Sequence, residues 1–307
     1  MKILYLCSRK YYDTKMSRGR FHYIEAITNS VDKLKTWGNK WSNYNSESSI
    51  NENLKKLSHQ YDWIIIYQPR EYIGVEELNN SIFIYNEMYN PSKITSDLNL
   101  KPAIVICHHY NEMMIYVNKY PKIRFVNIPH CSDKRYFFDY KLDKDIDVLL
   151  IGRCSKGHYP LRTRIKDLII DKKFPKKYNI LIHNHPGYNI NQAYDNEQVI
   201  QYAKKISRSK ICVFCSGIPR TRYAKYVEVA MCGSVICADI PNEDHTLFQD
   251  NIIVIDNKMT DKEIINKITS YLDDSKKLED IRSRGINAFS KFTTEYYADK
   301  FINALNI

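Results

Sequence analysis

Pro219-Arg-Thr-Arg222-Tyr-Ala-Lys225-Tyr-Val-Glu228-Val-Ala-Met231-Cys-Gly233-Ser-Val-Ile-Cys-Ala-Asp-Ile-Pro241 is the stretch that decides the fold. Tyr223, Tyr226, Val227, Ala230 and Met231 recur at helical spacing, which predicts a short helix from Arg222 to Met231, with Gly233 as its left-handed stop. Ser234–Ala238 then reads as a strand, and Ile211–Cys215 upstream as another, so the unit is a βαβ crossover. In such a unit the first loop opens at the carboxyl edge of the sheet, and the helix start turns unpaired N–H groups toward an anion. Arg220, Arg222 and Lys225 add three cations there. Lys225 and Glu228, three residues apart, share a helix face, setting a cation suited to phosphate beside a carboxylate suited to sugar hydroxyls. A charged, solvated first turn on an ordinary core helix is the competing reading of the same residues.

The pattern repeats in both directions. Apolar runs at Lys2–Cys7, Trp63–Tyr67, Ser81–Tyr85, Ala103–Cys107 and Arg124–Ile128 each end in polar residues, and Val148–Ile151, Tyr178–Ile182 and Ile252–Ile255 continue the series. Helical stretches fall between several of them, at Arg20–Asn29, Ser48–His59, Glu197–Ser207 and from Pro160 to about Ile170. Continuous apolar strands alternating with helices predict parallel sheets covered on both faces, an α/β protein. The charged segment Phe137–Asp147 reads as a linker between two similar halves. Within it, Asp145-Ile-Asp147 has the form of a DxD metal motif but precedes a strand rather than following one, which favours a polar strand start.

With 307 residues the chain is long enough for two domains, each burying its own core. Its 44% hydrophobic and 26% charged residues are those of a globular protein and exclude disorder. No run approaches the roughly 18 apolar residues of a membrane helix, and the first strand is too short for a signal peptide, so the expected location is the cytoplasm, or a host's cytoplasm if the source is viral. Of eight cysteines, six lie in apolar contexts and read as buried thiols of a reducing compartment. Cys212-Val-Phe-Cys215 has knuckle spacing but lies in a strand without a second ligand pair. The net charge of +11 admits nucleic acid, an anionic surface or phosphorylated small molecules; lysines are spread along the chain without a dense block. No GxGxxG or GxxxxGK[ST] follows a strand, which disfavours a standard dinucleotide fold or a P-loop NTPase.

Asp147-Val-Leu-Leu-Ile-Gly-Arg153, Tyr159-Pro-Leu-Arg162, His185-Pro-Gly-Tyr188 and Arg222-Tyr-x-Lys225-Tyr-x-Glu228-x-x-Met-x-Gly233 together resemble the GT-B glycosyltransferases, in the group 1, spore-maturation-protein (CgeB-like) branch. The resemblance implies two Rossmann-like domains with parallel sheets facing across a cleft. It places an N-terminal acceptor domain at 1–138, a C-terminal nucleotide-sugar domain at 139–290, and a final helix at 291–307 that crosses back to the first domain. It also implies a nucleotide-sugar donor as co-substrate, with no metal and no further cofactor. Glu228 then matches the ribose-binding glutamate, Arg153 and Lys156 the pair on the diphosphate, and His185, Arg220, Arg222, Tyr223 and Lys225 complete the candidate donor site. Eight residues before Glu228, retaining relatives carry a glutamate; here that position is Arg220.

A base for the acceptor hydroxyl is sought at the strand ends of the first half, where His109, Glu87 and Asp13 are the candidates, His109 first, with a structural histidine as the alternative for it or for His108. The expected partners are the nucleotide sugar and a glycan, protein or lipid acceptor. A peripheral membrane contact is compatible with the charge, and a stable nucleic-acid partner is not expected. The competing functions are a GT-B-shaped binding protein without turnover and a basic nucleic-acid binder; motif residues at strand ends, rather than along a stripe, weigh against the second.

Overall fold

The computed structural model describes residues 1–14, 18–67, 79–185 and 196–306. They fall into two compact units, one of 1–129 with the C-terminal 294–306, the other of 130–185 with 196–293. Gln68, Pro69, Arg70, Pro186, Gly187 and Tyr188, singled out in the sequence, lie outside the described residues.

The first unit holds a six-stranded parallel sheet, β1 (Lys2–Leu6), β2 (Lys33–Trp37), β3 (Trp63–Tyr67), β4 (Ser81–Tyr85), β5 (Ile104–Cys107) and β6 (Arg124–Asn127), in the order β2-β1-β3-β4-β5-β6. Trp63-Ile-Ile-Ile-Tyr, Ser81-Ile-Phe-Ile-Tyr and Ile104-Val-Ile-Cys are buried nearly throughout, as strands covered on both faces must be. The edge strands differ. β2, Lys33-Leu-Lys-Thr-Trp, is studded with lysine and largely accessible, which protects an unpaired edge from further pairing. No strand is expected here from the sequence, because the stretch has only Leu34 and Trp37 as apolar residues among polar ones and lacks an apolar run. The polar residues that end the first apolar run lead into the short helix α1 (Arg9–Thr14).

Helix α2 (Arg18–Thr28) buries Phe21, Tyr23, Ile24 and Ile27. The C-terminal helix, α12 (Thr294–Leu305), packs on it, burying Tyr297, Ala298, Phe301, Ala304 and Leu305. Tyr23 and Tyr297 stack with centroids 4.1 Å apart and planes at 7°. Arg124 Nη1 donates to the Ala304 carbonyl at 2.7 Å, tying the end of α12 to β6.

In the second unit β7 (Ile146–Leu150), β8 (Ile180–Ile182), β9 (Ser209–Val213), β10 (Val235–Ala238) and β11 (Ile253–Val254) form a parallel sheet in the order β11-β10-β9-β7-β8. Helix α6 (Pro160–Ile170), opened by a proline at its first turn, buries Leu161, Ile165 and Leu168 over Val148, Leu150, Ile211 and Val213. Helix α7 (Asn196–Ser207) buries Val199, Ala203 and Ile206 at helical spacing. Helix α8 (Lys225–Met231) is followed by Gly233 at φ +72°, the left-handed stop expected there. The charged segment read as a linker is docked on this unit, where Lys144 Nζ donates to the Gly233 carbonyl at 2.7 Å. Asp145 pairs with Arg208, and Asp147 with Lys210 at 2.7 Å, so both carboxylates of the DxD-like triplet serve ion pairs at the amino end of β7. All eight cysteines are free thiols. Burial pushes Cys131 and Cys212 up to about 12, far from a metal-binding thiolate.

Candidate functional site

Chain direction in the second sheet reverses at β7. The chain steps outward from β7 to β8 and then returns to β9 on the other side of β7, which makes the gap between the carboxyl ends of β7 and β9 the switch point where open α/β sheets bind ligands. Two turns meet there. After β7 comes Gly152 at φ +91°, a conformation open to glycine and strained for other residues. After β9 comes the turn 217–220, with Gly217 at φ +76°. A Cβ on Gly217 would lie 3.0 Å from the His158 carbonyl and from the Tyr159 ring, so glycine permits the two turns to close on each other. The Ile218 N–H donates to the His158 carbonyl at 2.9 Å across that contact.

Arg162, from α6, sits beneath both turns and is 2% exposed. Its Nη1 donates to the Arg153 carbonyl at 2.8 Å, its Nη2 to the Cys215 carbonyl at 2.7 Å, and its guanidinium lies 4.2 Å from the Tyr159 ring centre. Above it, a Cβ on Gly152 would fall 2.6 Å from Arg162 Nη1 and 2.9 Å from Lys225 Cε. The bare backbone of Gly152 is therefore wedged between two cationic side chains.

The carboxyl end of β8 contributes His183 and His185. Burial, followed by Lys225, Arg153 and Arg162, drives His185 down to about 4 from the ordinary imidazole value of 6.5. Burial, then Lys205 and Lys225, lowers His183 as well. Both imidazoles are thus neutral at pH 7, held so in part by the cations around them. Glu228, on α8, is 5% exposed and meets the Tyr202 hydroxyl at 3.4 Å, and the Tyr202 ring lies 5.0 Å from that of His183. Arg153, His185 and Lys225 are in this way gathered around Gly152 at the carboxyl edges of β7, β8 and β9, with Glu228 one turn further along α8.

Other candidate donor residues point elsewhere. The helix begins at Lys225, not at Arg222, because Arg220 takes a left-handed φ of +54° in the 217–220 turn and backbone bonds of helical type resume only with the Tyr226 N–H to the Tyr223 carbonyl, at 3.2 Å. The Arg220 guanidinium donates to the Ile240 carbonyl at the end of β10. Arg222 turns inward to 1% exposure, its guanidinium carbon 4.0 Å from the Phe292 ring centre and its Nη1 3.2 Å from Asp244. Tyr223 is half-buried, edge-on to Tyr159 at 6.3 Å. Lys156 is exposed on the turn before α6. A cavity of about 290 Å³ opens between that first turn of α6, the 217–220 turn and residues 256–258, with Arg220, Lys258, Asp239 and Asp256 in its wall. Burial raises the Asp239 carboxyl above its ordinary value, although the Ser216 N–H and hydroxyl both donate to it, at 2.7 and 2.6 Å.

In the first unit, Glu87 follows β4, and His109 follows β5 as the residue preceding α5 (Tyr110–Val117), so the two stand at the carboxyl ends of adjacent strands. His109 is 2% exposed and its main-chain N–H meets the Cys107 sulfur at 3.4 Å; Glu87 is half-buried. Asp13 is on α1 beyond β1, in an exposed pair with Arg9 at 3.5 Å. Neighbouring His108 is wholly buried. Its Nδ1 is 2.9 Å from the Ile128 carbonyl and its Nε2 is 2.9 Å from the Tyr67 hydroxyl, between the edges of Tyr23 and Tyr297. Arg162 and Gly152 carry much of the second unit's site geometry; both lie in the motifs quoted from the sequence, Gly152 as a place of close backbone approach, but neither is among the candidate site residues. A basic residue in a helix gives no sign that it is buried.

No family model matches the sequence, and no curated protein sequence matches it. Solved structures do match. Over 99% of this chain and 99% of the other, Anabaena HepE in complex with UDP and glucose superposes with a TM-score of 0.65 at 14% identity. Sucrose-phosphate synthase from Thermosynechococcus elongatus matches over 99% and 98% of the two chains, with a TM-score of 0.63 at 11% identity. A glycosyltransferase from Rickettsia africae matches over 99% and 97%, with a TM-score of 0.58 at 14% identity. At such identities the likeness is one of fold, and that fold, with two Rossmann-like parallel sheets and a C-terminal helix returned to the first unit, is GT-B.

Proposed function

We propose that this protein is a glycosyltransferase that takes a sugar from a nucleoside-diphosphate donor bound at the carboxyl edge of the second sheet. The observation that carries the reading is the gathering of Arg153, Lys225 and Arg162 around a neutral His185 at the switch point, beside a glycine whose bare backbone lets two of these cations approach. Such a site is built for a compact polyanion. The diphosphate is bound by Arg153 and Lys225, with Lys156 within the same loop, and Glu228 accepts hydrogen bonds from the ribose hydroxyls. HepE, of the same fold, was solved with UDP and glucose, which makes UDP the first nucleotide to test.

In the reaction, an acceptor hydroxyl oxygen attacks the anomeric carbon as the bond from that carbon to the donor phosphate oxygen breaks. Negative charge grows on the departing diphosphate, where fixed cations lower the barrier without reorganising. The acceptor proton passes to a base at the carboxyl edge of the first sheet, with His109, Glu87 and Asp13 as candidates. Of these, Glu87 is half-buried, unlike the buried His109, and outside the exposed ion pair that holds Asp13. Because the charge is met by side chains, turnover is expected to persist in EDTA.

A panel of nucleotide sugars tests the reading through thermal stabilisation and slow donor hydrolysis with EDTA present. Stabilisation by one donor class, abolished in Glu228→Ala with the fold intact, is the expected result; silence toward every donor refutes it. Donor binding without hydrolysis or transfer would assign the chain as a GT-B-shaped binding protein.

A further inference from the structure

Arg162 is a buried charge without a counter-ion among the described residues. It is 2% exposed, no carboxylate among the described residues pairs with it, and its Nε has no hydrogen-bond partner. Two carbonyl acceptors and an aromatic face compensate only part of the loss of hydration. A methionine or leucine would fill the space over the Tyr159 ring without that cost, so stability does not account for the arginine. Its position does. The guanidinium joins the turns after β7 and β9, by way of the Arg153 and Cys215 carbonyls, at a second point besides the Ile218–His158 backbone bond. Drawing the Arg153 carbonyl downward turns the N–H of the same planar trans peptide, that of Cys154, away from the guanidinium. No described group accepts that N–H.

Building on the donor-site reading above, we propose that Arg162 is the positioning residue of the anion site. It fixes the two turns that present Arg153 and Lys225, and its positive charge is balanced only when a diphosphate is bound above Gly152. Arg162 does not touch the ligand. It acts through the peptide it pulls into place and through the field it adds beneath the site.

The test compares wild type with Arg162→Met, similar in length and uncharged, and Arg162→Lys, which keeps the charge but reaches a single carbonyl. Three quantities are read in the full chain: inorganic pyrophosphate and UDP affinity by calorimetry, the His185 imidazole titration by NMR without ligand, and the urea midpoint. Arg162→Met is expected to lose affinity for both probes by about tenfold or more, to titrate His185 at higher pH because one of its repelling cations is gone, and to keep or raise the urea midpoint. Arg162→Lys should recover the low His185 titration and part of the affinity. A purely structural role would instead lower the midpoint and leave the pyrophosphate affinity of the folded variant within about twofold of wild type. The proposal is overturned if folded Arg162→Met binds pyrophosphate within about twofold of wild type, if Arg162→Lys loses as much as Arg162→Met, or if wild type binds no pyrophosphate. Should Arg162→Met fail to fold, Arg162→Lys decides, since a low His185 titration with retained binding supports the proposal and a loss of both overturns it. Pyrophosphate binding that depends on Arg162, with no nucleotide sugar turned over, would sink the transferase reading and leave this one standing.

Discussion

Gly152→Ala probes the site through its backbone. The residue stands at φ +91°, where a Cβ costs about 1–2 kcal/mol. The added methyl would lie 2.6 Å from Arg162 Nη1 and 2.9 Å from Lys225 Cε, both below real carbon contacts. Lys225 can swing aside at little cost, carrying its ammonium out of the site. Arg162 cannot, because moving Nη1 strains the bonds to the Arg153 and Cys215 carbonyls, each worth about 1 kcal/mol. The expected loss of stability is about 2–3 kcal/mol, read from urea denaturation, accompanied by a loss of UDP-induced stabilisation that exceeds the structural damage. Gly157, in the same loop, is the control. A Cβ there meets nothing within 4 Å, so Gly157→Ala should change stability by less than about 0.5 kcal/mol and leave the nucleotide response intact. If Gly152→Ala proved as mild as Gly157→Ala in both assays, the wedge between the two cations would not exist as described.

Stability of the ligand-free protein should fall as pH drops below 6.5, because the unfolded imidazole of residue 185 protonates there while the folded one resists until about 4; allowing for its half-burial, the contribution is about 1–2 kcal/mol. His185→Gln should flatten that part of the pH profile. In the first unit, His108→Ala should cost about 2–4 kcal/mol, since it strands the Ile128 carbonyl and the Tyr67 hydroxyl and opens a space between Tyr23 and Tyr297; calorimetric melting checks it. Tyr297→Ala removes the stack on Tyr23 and should destabilise by about 3–4 kcal/mol, with Tyr297→Phe close to neutral. Oligonucleotide binding, if measurable at low salt, should be gone at moderate ionic strength.

How much of this was legible depended on where each residue's signal lies. Ile64-Ile-Ile66 and Ile104-Val-Ile106 announce central strands because both faces of a parallel sheet must be apolar. Lys33-Leu-Lys-Thr-Trp37 does not, since an edge strand half in water looks like any polar segment. Thr221, Arg222 and Tyr223 have side chains at helical spacing with those of α8, yet Arg220's left-handed turn delays the helix to Lys225. Spacing cannot show that choice. His108 and His109 are indistinguishable by type and neighbourhood, and both prove buried. Gly152 and Lys225 could each be placed at a strand end or helix start, but their approach to one another through Arg162 needs the sheet order, which periodicity does not carry.

The return of α12 to the first unit also orders events during synthesis. Arg124 and Ala304, joined by a hydrogen bond, are 180 residues apart in the chain, and Tyr297 reaches Tyr23 across a still longer span. The first unit therefore leaves the ribosome with the apolar face of α2 uncovered and waits while the whole second unit is made. Closing so long a loop is slow compared with local folding, and an uncovered helix face is prone to aggregate meanwhile. The twelve residues of α12 act as a completion signal, and a chain cut short before Thr294 would keep its sheets but expose the surface that chaperones and proteases recognise.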